Sequence, residues 1–250
     1  MKKVLLAGES WMTYTTHVKG FDSFYTSSYA TGEKYLAEAL RQGGYDFEFM
    51  PNHVAMQDFP HSLEELKSYN AIILSDIGAN TLLLQDQTFV RSEITTNRCD
   101  LLAEYVRNGG ALLMIGGYLS FAGIDGKGKW HDNAVQSVLP VEVQTVDDRR
   151  EHPEGIRPKS LLPQHPILKG IPDEWPLVLG YNQCKIKAEA ELIATIGGDP
   201  FIAAVDYGKG RSAIVSTDCS PHWAPPEFCK WPYYNLLWQN LLAWLCEKQA

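Results

Sequence analysis

Gly116-Gly117-Tyr118-Leu119-Ser120 follows directly on the apolar run Ala111 to Ile115, a place where α/β hydrolytic enzymes present a nucleophile. In such enzymes a buried strand ends in a sharp turn whose apex carries Ser or Cys, with small residues beside it. Here the apex is Tyr118, and a phenol with a pKa of about 10 is a poor nucleophile at neutral pH. Ser120 has no base placed beside it in the sequence, so it is read as a small turn residue rather than the nucleophile of a hydrolase. Three further segments bring groups able to move protons or hold a ligand. They are Glu9-Ser10-Trp11 (with His17 shortly after), Ser75-Asp76, and Thr217-Asp218 followed by His222 and Trp223. If they share one rim with the glycine turn, His222 is the acid/base, with Asp218 or Glu9 as its partner. Gly117 and Tyr118 are then the donors toward an oxyanion. Glu9, Ser10, Trp11, Asp76, Gly116, Gly117, Ser120 and Trp223 form the candidate ligand-binding set. Each has a plainer alternative. Glu9 and Asp76 can cap helix N-termini, His222 can be a hydrogen-bonded structural histidine, and Tyr118 can be a packed ring.

These groups need elements that bring them together, and the first 116 residues alternate strand and helix. Val4 to Ala7, Phe47 to Met50, Ala71 to Leu74 and the run before Gly116 read as short buried strands. Thr31 to Gln42 places Tyr35, Leu36, Ala39 and Leu40 on one helical face and stops at Gly43-Gly44. Ser62-Leu63-Glu64-Glu65 has capping-box spacing. Asn97 can cap a helix carrying Leu101, Leu102, Tyr105 and Val106. This βαβ order implies an α/β fold, a mostly parallel sheet with helices on both faces, whose ligands bind at the carboxyl ends of the strands. Residues 121 to 176, rich in Gly, Pro and charge, read as an irregular insertion with one strand-like piece, Val141 to Val146, inside a single domain of residues 1 to 250. Strands return at Leu177 to Tyr181, Glu191 to Ile196, Phe201 to Asp206 and Ser212 to Ser216. A helix from about Tyr233 to Glu247 closes the chain.

Composition narrows the function classes. The chain has 22 Lys+Arg against 30 Asp+Glu, a net charge of −8, and no long basic run, which argues against nucleic acid or an anionic membrane as partner. No apolar run has the length of a spanning helix or a secretory signal. Five scattered cysteines without CxxC spacing indicate neither a disulfide framework nor a zinc cluster, and suit the cytoplasm. No metal or cofactor motif is present, and Gly126-Lys127-Gly128-Lys129 lacks phosphate-loop spacing. The aromatic cluster Trp223, Trp231, Tyr233, Tyr234, Trp238 and Trp244 is assigned to core or subunit packing.

Four segments taken in order resemble the class I glutamine amidotransferase-like superfamily, in a branch near ThuA-like proteins and the trimerisation domain of some β-galactosidases. They are GGALLMIGGYLSF (Gly109 to Phe121), SVLPVEV (Ser137 to Val143), HPILKGIP (His165 to Pro172) and DYGKGRSAIVSTD (Asp206 to Asp218). The resemblance implies a flavodoxin-like layout for the whole chain. The superfamily's glutaminases carry Cys in a G-x-C-x-G elbow and a His-x-Glu segment after a late strand. Laid on this chain, Gly116 takes the first glycine, Tyr118 the cysteine and Ser120 the second glycine. His222 matches the histidine, but Ala224 stands where the glutamate belongs, and the nearest acids are Asp218 and Glu227. Glutamine hydrolysis is therefore not expected. Two functions remain: a small-molecule pocket, loosely carbohydrate-related, with or without other chemistry, and a non-catalytic assembly module. A homo-oligomer is expected.

Overall fold

Alternation along the central strands decides which side of the sheet each residue serves. In β1 (Lys3–Gly8), Val4 and Leu6 point into one core and Leu5 and Ala7 into the other, all fully buried. β5 (Ala71–Ser75) and β6 (Ala111–Ile115) divide in the same way, which is why they read as unbroken apolar runs. The computed structural model describes residues 1 to 249.

Between β1 and β5 lie β2 (Ser10–Lys19), β3 (Asp22–Thr31), α1 (Lys34–Gln42), β4 (Asp46–Pro51), α2 (Asn52–Asp58) and α3 (Leu63–Lys67). Before β6 come α4 (Ala79–Leu83), α5 (Asp86–Phe89) and α6 (Arg98–Arg107). Both expected caps form: the Ser62 side chain accepts from the Glu65 N–H, and the Asn97 side chain accepts from those of Cys99 and Asp100. The second half adds α7 (Val135–Val138), β7 (Val141–Glu142), β8 (Arg149–Ile156), β9 (Lys159–Ser160), β10 (Val178–Asn182) and β11 (Lys185–Ile186). It ends with β12 (Glu191–Ile196), β13 (Asp199–Tyr207), β14 (Gly210–Val215), α8 (Pro226–Cys229) and α9 (Tyr234–Leu245).

The main sheet runs β4-β1-β5-β6-β14-β13-β12-β9. The first five strands are parallel, and β13, β12 and β9 extend the sheet antiparallel. α1 and α9 cover one face, where Leu36 and Leu40 share a core with Leu237, Trp238, Leu241 and Leu245. α6, α7 and the loop carrying Trp130 cover the other. The α/β architecture expected from the alternation of strand and helix, and the flavodoxin-like layout that the resemblance implies, are the ones observed.

Three local readings change. Ser10 to Thr31, given no regular element from the sequence, is a long hairpin; the helix expected from Thr31 starts at Lys34. The piece at Val141 to Val146 shrinks to two strand residues paired with β11. The strand at Val178 to Asn182 lies outside the main sheet and pairs antiparallel with β8, which lies in the stretch read as irregular. Sequence period reports burial, and these segments are paired without a continuous buried face.

Candidate functional site

Strand order reverses between β1 and β5, because the chain steps from β1 outward to β4 and then back across to β5. The carboxyl ends of β1, β5, β6 and β14 therefore open on one rim beside that switch point. Glu9 and Asp76 are the first residues beyond β1 and β5. Both are held at positive φ, 43° and 44°, a conformation that non-glycine residues seldom adopt and that costs on the order of 1–3 kcal/mol. Gly8 is obligatory at this approach, since a Cβ there would lie 1.8 Å from the Ser75 carbonyl oxygen. The Glu9 N–H donates to that same carbonyl at 2.9 Å.

The rim encloses a cavity of about 530 Å³, within the range of small-molecule sites. Glu9, Trp11, Asp76, Tyr118, Asp218 and His222 all line it, joined by Leu119, Ile124, Ser220 and Pro221. Six residues chosen from the sequence thus meet in one place. The other five stand behind them. The Ser10 hydroxyl accepts from the Asn52 N–H at 2.7 Å, and the Ser120 hydroxyl accepts from the Asp76 N–H at 3.0 Å. The Gly116 N–H donates to Val215 O at 2.8 Å, and the Gly117 N–H to Asn182 Oδ1 at 2.9 Å. Trp223 is buried, stacked on His222 with ring centroids 5.5 Å apart, and its indole donates to Glu151.

His222 and Asp218 form a hydrogen-bonded pair on the cavity wall. Nδ1 of His222 lies 2.7 Å from Asp218 Oδ2, which also accepts from the Trp223 N–H at 2.9 Å. The carboxylate is an acceptor in both bonds, so Nδ1 carries the proton and Nε2 is left to the cavity. Asp218 raises the His222 pKa above its ordinary value. The ambiguity over the histidine's acidic partner resolves to Asp218, which approaches from the preceding loop rather than from the position of Ala224.

Glu9 is buried, accepting from the Ser75 hydroxyl at 2.5 Å and the Ser220 hydroxyl at 3.3 Å. Burial first, and the nearby Asp218 and Asp76 carboxyls second, push its pKa up to about 8. Asp76 is pushed up to about 6 by burial and Asp218. Burial likewise raises Asp218. Three carboxyls crowd one cleft, and Glu9 is protonated at neutral pH.

The elbow itself departs from acyl-transfer geometry. In a nucleophile elbow, the N–H of the residue after the apex stabilises the oxyanion. Here that N–H belongs to Leu119 and donates to Asp76 Oδ1 at 2.8 Å, while the Tyr118 N–H also stabilises the Asp76 carboxylate. Asp76 fills the place an oxyanion would take. The two N–H groups expected as donors toward an oxyanion are engaged inside the protein, that of Gly117 with Asn182 Oδ1 at 2.9 Å and that of Tyr118 with Asp76. The Tyr118 hydroxyl donates to Glu151 Oε1 at 3.1 Å, and the Arg149 guanidinium lies 4.6 Å over its ring. His222 meets the ring edge-on at 4.4 Å. Burial and Glu151 raise the phenol's pKa, and the ring lines the cavity. Glu151 and Arg149 were missed in the sequence; the charge run Asp147-Asp148-Arg149-Arg150-Glu151 was their only signal, and β8 brings it over the rim. Among the described residues no group of three His, Cys, Asp or Glu side chains could hold a metal ion.

A family described as "Putative glutamine amidotransferase" matches residues 3–247. Two solved Salmonella typhimurium structures, each described as a cytoplasmic protein, superpose on the chain with a TM-score of 0.94. The first is 45% identical over 97% of this chain and 98% of its own; the second is 44% identical over 97% and 99%. Their description agrees with the cytoplasmic location expected from the scattered thiols. A ThuA-like protein from Bacteroides uniformis is 15% identical over 98% of this chain and 91% of its own, with a TM-score of 0.55, and shares the fold. No curated protein matches the chain.

Proposed function

The chain belongs to the family described as "Putative glutamine amidotransferase", and from that premise we propose that it keeps the family's rim pocket without glutamine hydrolysis. It binds a small, hydroxyl-rich ligand of the carbohydrate class and moves a proton at His222 Nε2. The observation that carries this reading is the His222–Asp218 pair opening on the same cavity as Glu9, Asp76, Trp11 and Tyr118. Trp11 and Tyr118 offer flat apolar faces to the C–H face of a sugar ring. The crowded carboxyls accept from hydroxyls, and protonated Glu9 can also donate. The same carboxyls repel anions, so neutral sugars, polyols and amino sugars are favoured over sugar phosphates and sugar acids.

In this reading His222 takes a proton from a ligand hydroxyl through Nε2, and Asp218 stabilises the imidazolium that forms. Such a positioned base contributes about 10²–10⁴ in rate. Glutamine hydrolysis lacks both its parts: the apex has no thiol, and the elbow N–H groups are spent on Asp76.

A thermal-shift panel of sugars, polyols, amino sugars, sugar phosphates and glutamine, run on the wild type and His222→Ala, tests this. A ligand at 100 times its Kd stabilises the native state by about 2.7 kcal/mol. The expected result is stabilisation by a neutral or amino sugar, lost or reduced in a folded His222→Ala, with no ammonia released from glutamine. No response from any sugar, or equal binding and turnover in folded His222→Ala, overturns the reading.

A further inference from the structure

The hairpin β2–β3 leaves the body of the molecule at Glu9 and returns at Gly32, whose N–H donates to the Glu9 carbonyl at 2.9 Å. Its ten cross-strand pairs run from Ser10↔Thr31 to Lys19↔Asp22 without a register shift, whereas β12–β13 contains two and β10–β8 one. Nearly all of it is exposed on both faces. Two-stranded ribbons are marginal alone in water, and solvent-facing edges normally carry Lys, Pro or bulges that prevent pairing. This ribbon has no Pro and no bulge, and its one Lys, Lys19, sits at the tip opposite Asp22. Between Ser10 and Val18, and between Ser23 and Thr31, there is no Asp, Glu, Lys or Arg.

Cross-strand partners share a face, so the register sorts the side chains. One face carries Met12, Tyr14, Val18, Tyr25 and Tyr29, interleaved with the small hydroxyl residues Thr16, Ser23 and Ser27. Tyr14 is 77% exposed, Tyr25 75% and Val18 71%. The opposite face carries Thr13, Thr15, Thr26 and Ser28, with His17 stacked on Phe24 at 4.4 Å near the tip. At the root, Tyr29 meets His53 of α2 edge-on at 5.4 Å, which sets the direction in which the arm leaves the body.

We propose that this arm is the self-association element of the protein, and that its Met12–Tyr14–Val18–Tyr25–Tyr29 face packs on the same face of a second copy. The absence of charge selects the occupant: a nucleic acid, an anionic lipid surface or a charged peptide finds no complementary group on this face. A second copy brings an identical uncharged apolar surface and avoids contact between bodies that each carry −8. The size also fits. The three tyrosines of this face, each offering about 200 Å² and 77%, 75% and 47% exposed, present about 400 Å² per arm, and Met12 and Val18 add about 200 Å². Covering this face on both arms removes about 1,200 Å², at the lower end of stable interfaces. The contact is isologous and so closes on itself. It also places assembly next to the ligand site, because Glu9 and Trp11 form the root of β2 and line the cavity. The aromatic residues of α9, expected from the sequence as a candidate interface, are largely spent on the protein's own core, with Tyr234, Trp238 and Trp244 buried.

Sedimentation of the full chain, with Tyr14→Lys on the apolar face and Thr15→Lys on the opposite one, tests the proposal. The expected result is a wild type and a Thr15→Lys variant at a multiple of 28.0 kDa, and a Tyr14→Lys variant at 28.0 kDa with unchanged circular dichroism. All five native cysteines are buried, so a Thr15→Cys variant offers one exposed thiol for a spin label outside the contact face. Dipolar coupling between labels on two copies is expected, and this readout holds even if Tyr14→Lys fails to fold. A wild type at 28.0 kDa at tens of micromolar, association surviving in folded Tyr14→Lys, or no coupling between labels overturns the proposal.

Discussion

His222 and Asp218 illustrate how much one hydrogen bond decides at this site. The bond sets the tautomer, turns Nε2 toward the cavity, and raises the histidine pKa. Asp218→Asn removes the negative charge and is expected to move the His222 midpoint below its wild-type value. Proton NMR of the imidazole Cε1–H as a function of pH measures it directly, and an unchanged midpoint would break the assignment of Asp218 as the orienting acid. Both residues were legible in sequence as a late-strand acid and a following histidine. Their pairing was left open between Asp218 and Glu9, because local pattern does not say how close the end of the first strand lies to the loop that carries His222. Tyr118 shows the opposite case. Its position at the apex was read from glycine spacing, but its commitments to Glu151 and Arg149 depend on the pairing of β8 with β10, which local pattern did not disclose.

Among the elements, Arg98 stands out as a positioning residue that sequence reasoning passed over. It sits on the first turn of α6, fully buried and without an acidic partner. Its guanidinium donates to the carbonyls of Leu82, Thr81, Ala55, Met56 and Phe59. These belong to the last turns of α2 and α4 or the residue just beyond, where carbonyls lack intrahelical partners. Burial lowers the Arg98 pKa to about 10, which still leaves it charged at neutral pH. One side chain thus caps two short helices. α2 in turn holds the rim, because the Asn52 amide donates to Ser10 O at 2.8 Å and to Asp76 O at 3.2 Å. Arg98→Met leaves several buried carbonyls unpaired and is expected to cost about 3–5 kcal/mol, read from urea unfolding. A loss under about 1 kcal/mol would mean that water replaces the guanidinium. An arginine in an amphipathic helix looks like any solvated charge, so its target is visible only once α2, α4 and α6 are packed together.

At the scale of the whole molecule, the crowded carboxyls set a pH dependence for folding. The Glu9 pKa rises from 4.5 to about 8 on folding. Below the lower value both states are protonated and the contribution is constant. Between the two, the unfolded chain releases a proton that the native state retains, so stability falls as pH rises through this window. Asp76 acts in the same direction over a narrower range, ending at about 6. Glu9→Gln keeps a neutral group in the same place and is expected to gain in melting temperature relative to the wild type as pH increases from about 5 to 9. Parallel melting curves across that range would show that the native state accommodates the Glu9 anion. Such a conflict between stability and charge is typical of sites that keep titratable groups for use.

The sequence by itself determined the strand-helix alternation, four parallel strands of the sheet, both side-chain caps and the C-terminal helix. Each of these follows from local pattern: apolar period, cap chemistry and glycine stops. It also determined the absence of the elbow thiol and six residues of the cavity, because strand ends in a parallel sheet share one rim. Only the tertiary structure decided which acid serves His222, that Asp76 takes the elbow N–H groups, and that β8 reaches across to clamp Tyr118. The last two join residues 43 and 33 positions apart, and although Asp218 is only four residues from His222, its distant rival Glu9 is excluded only by the packing that turns Glu9 to Ser75 and Ser220. The arm at Ser10 to Thr31 also waited on the structure. Its cross-strand pairing is a long-range property, and an apolar stripe without a core to face leaves no burial signal in the sequence.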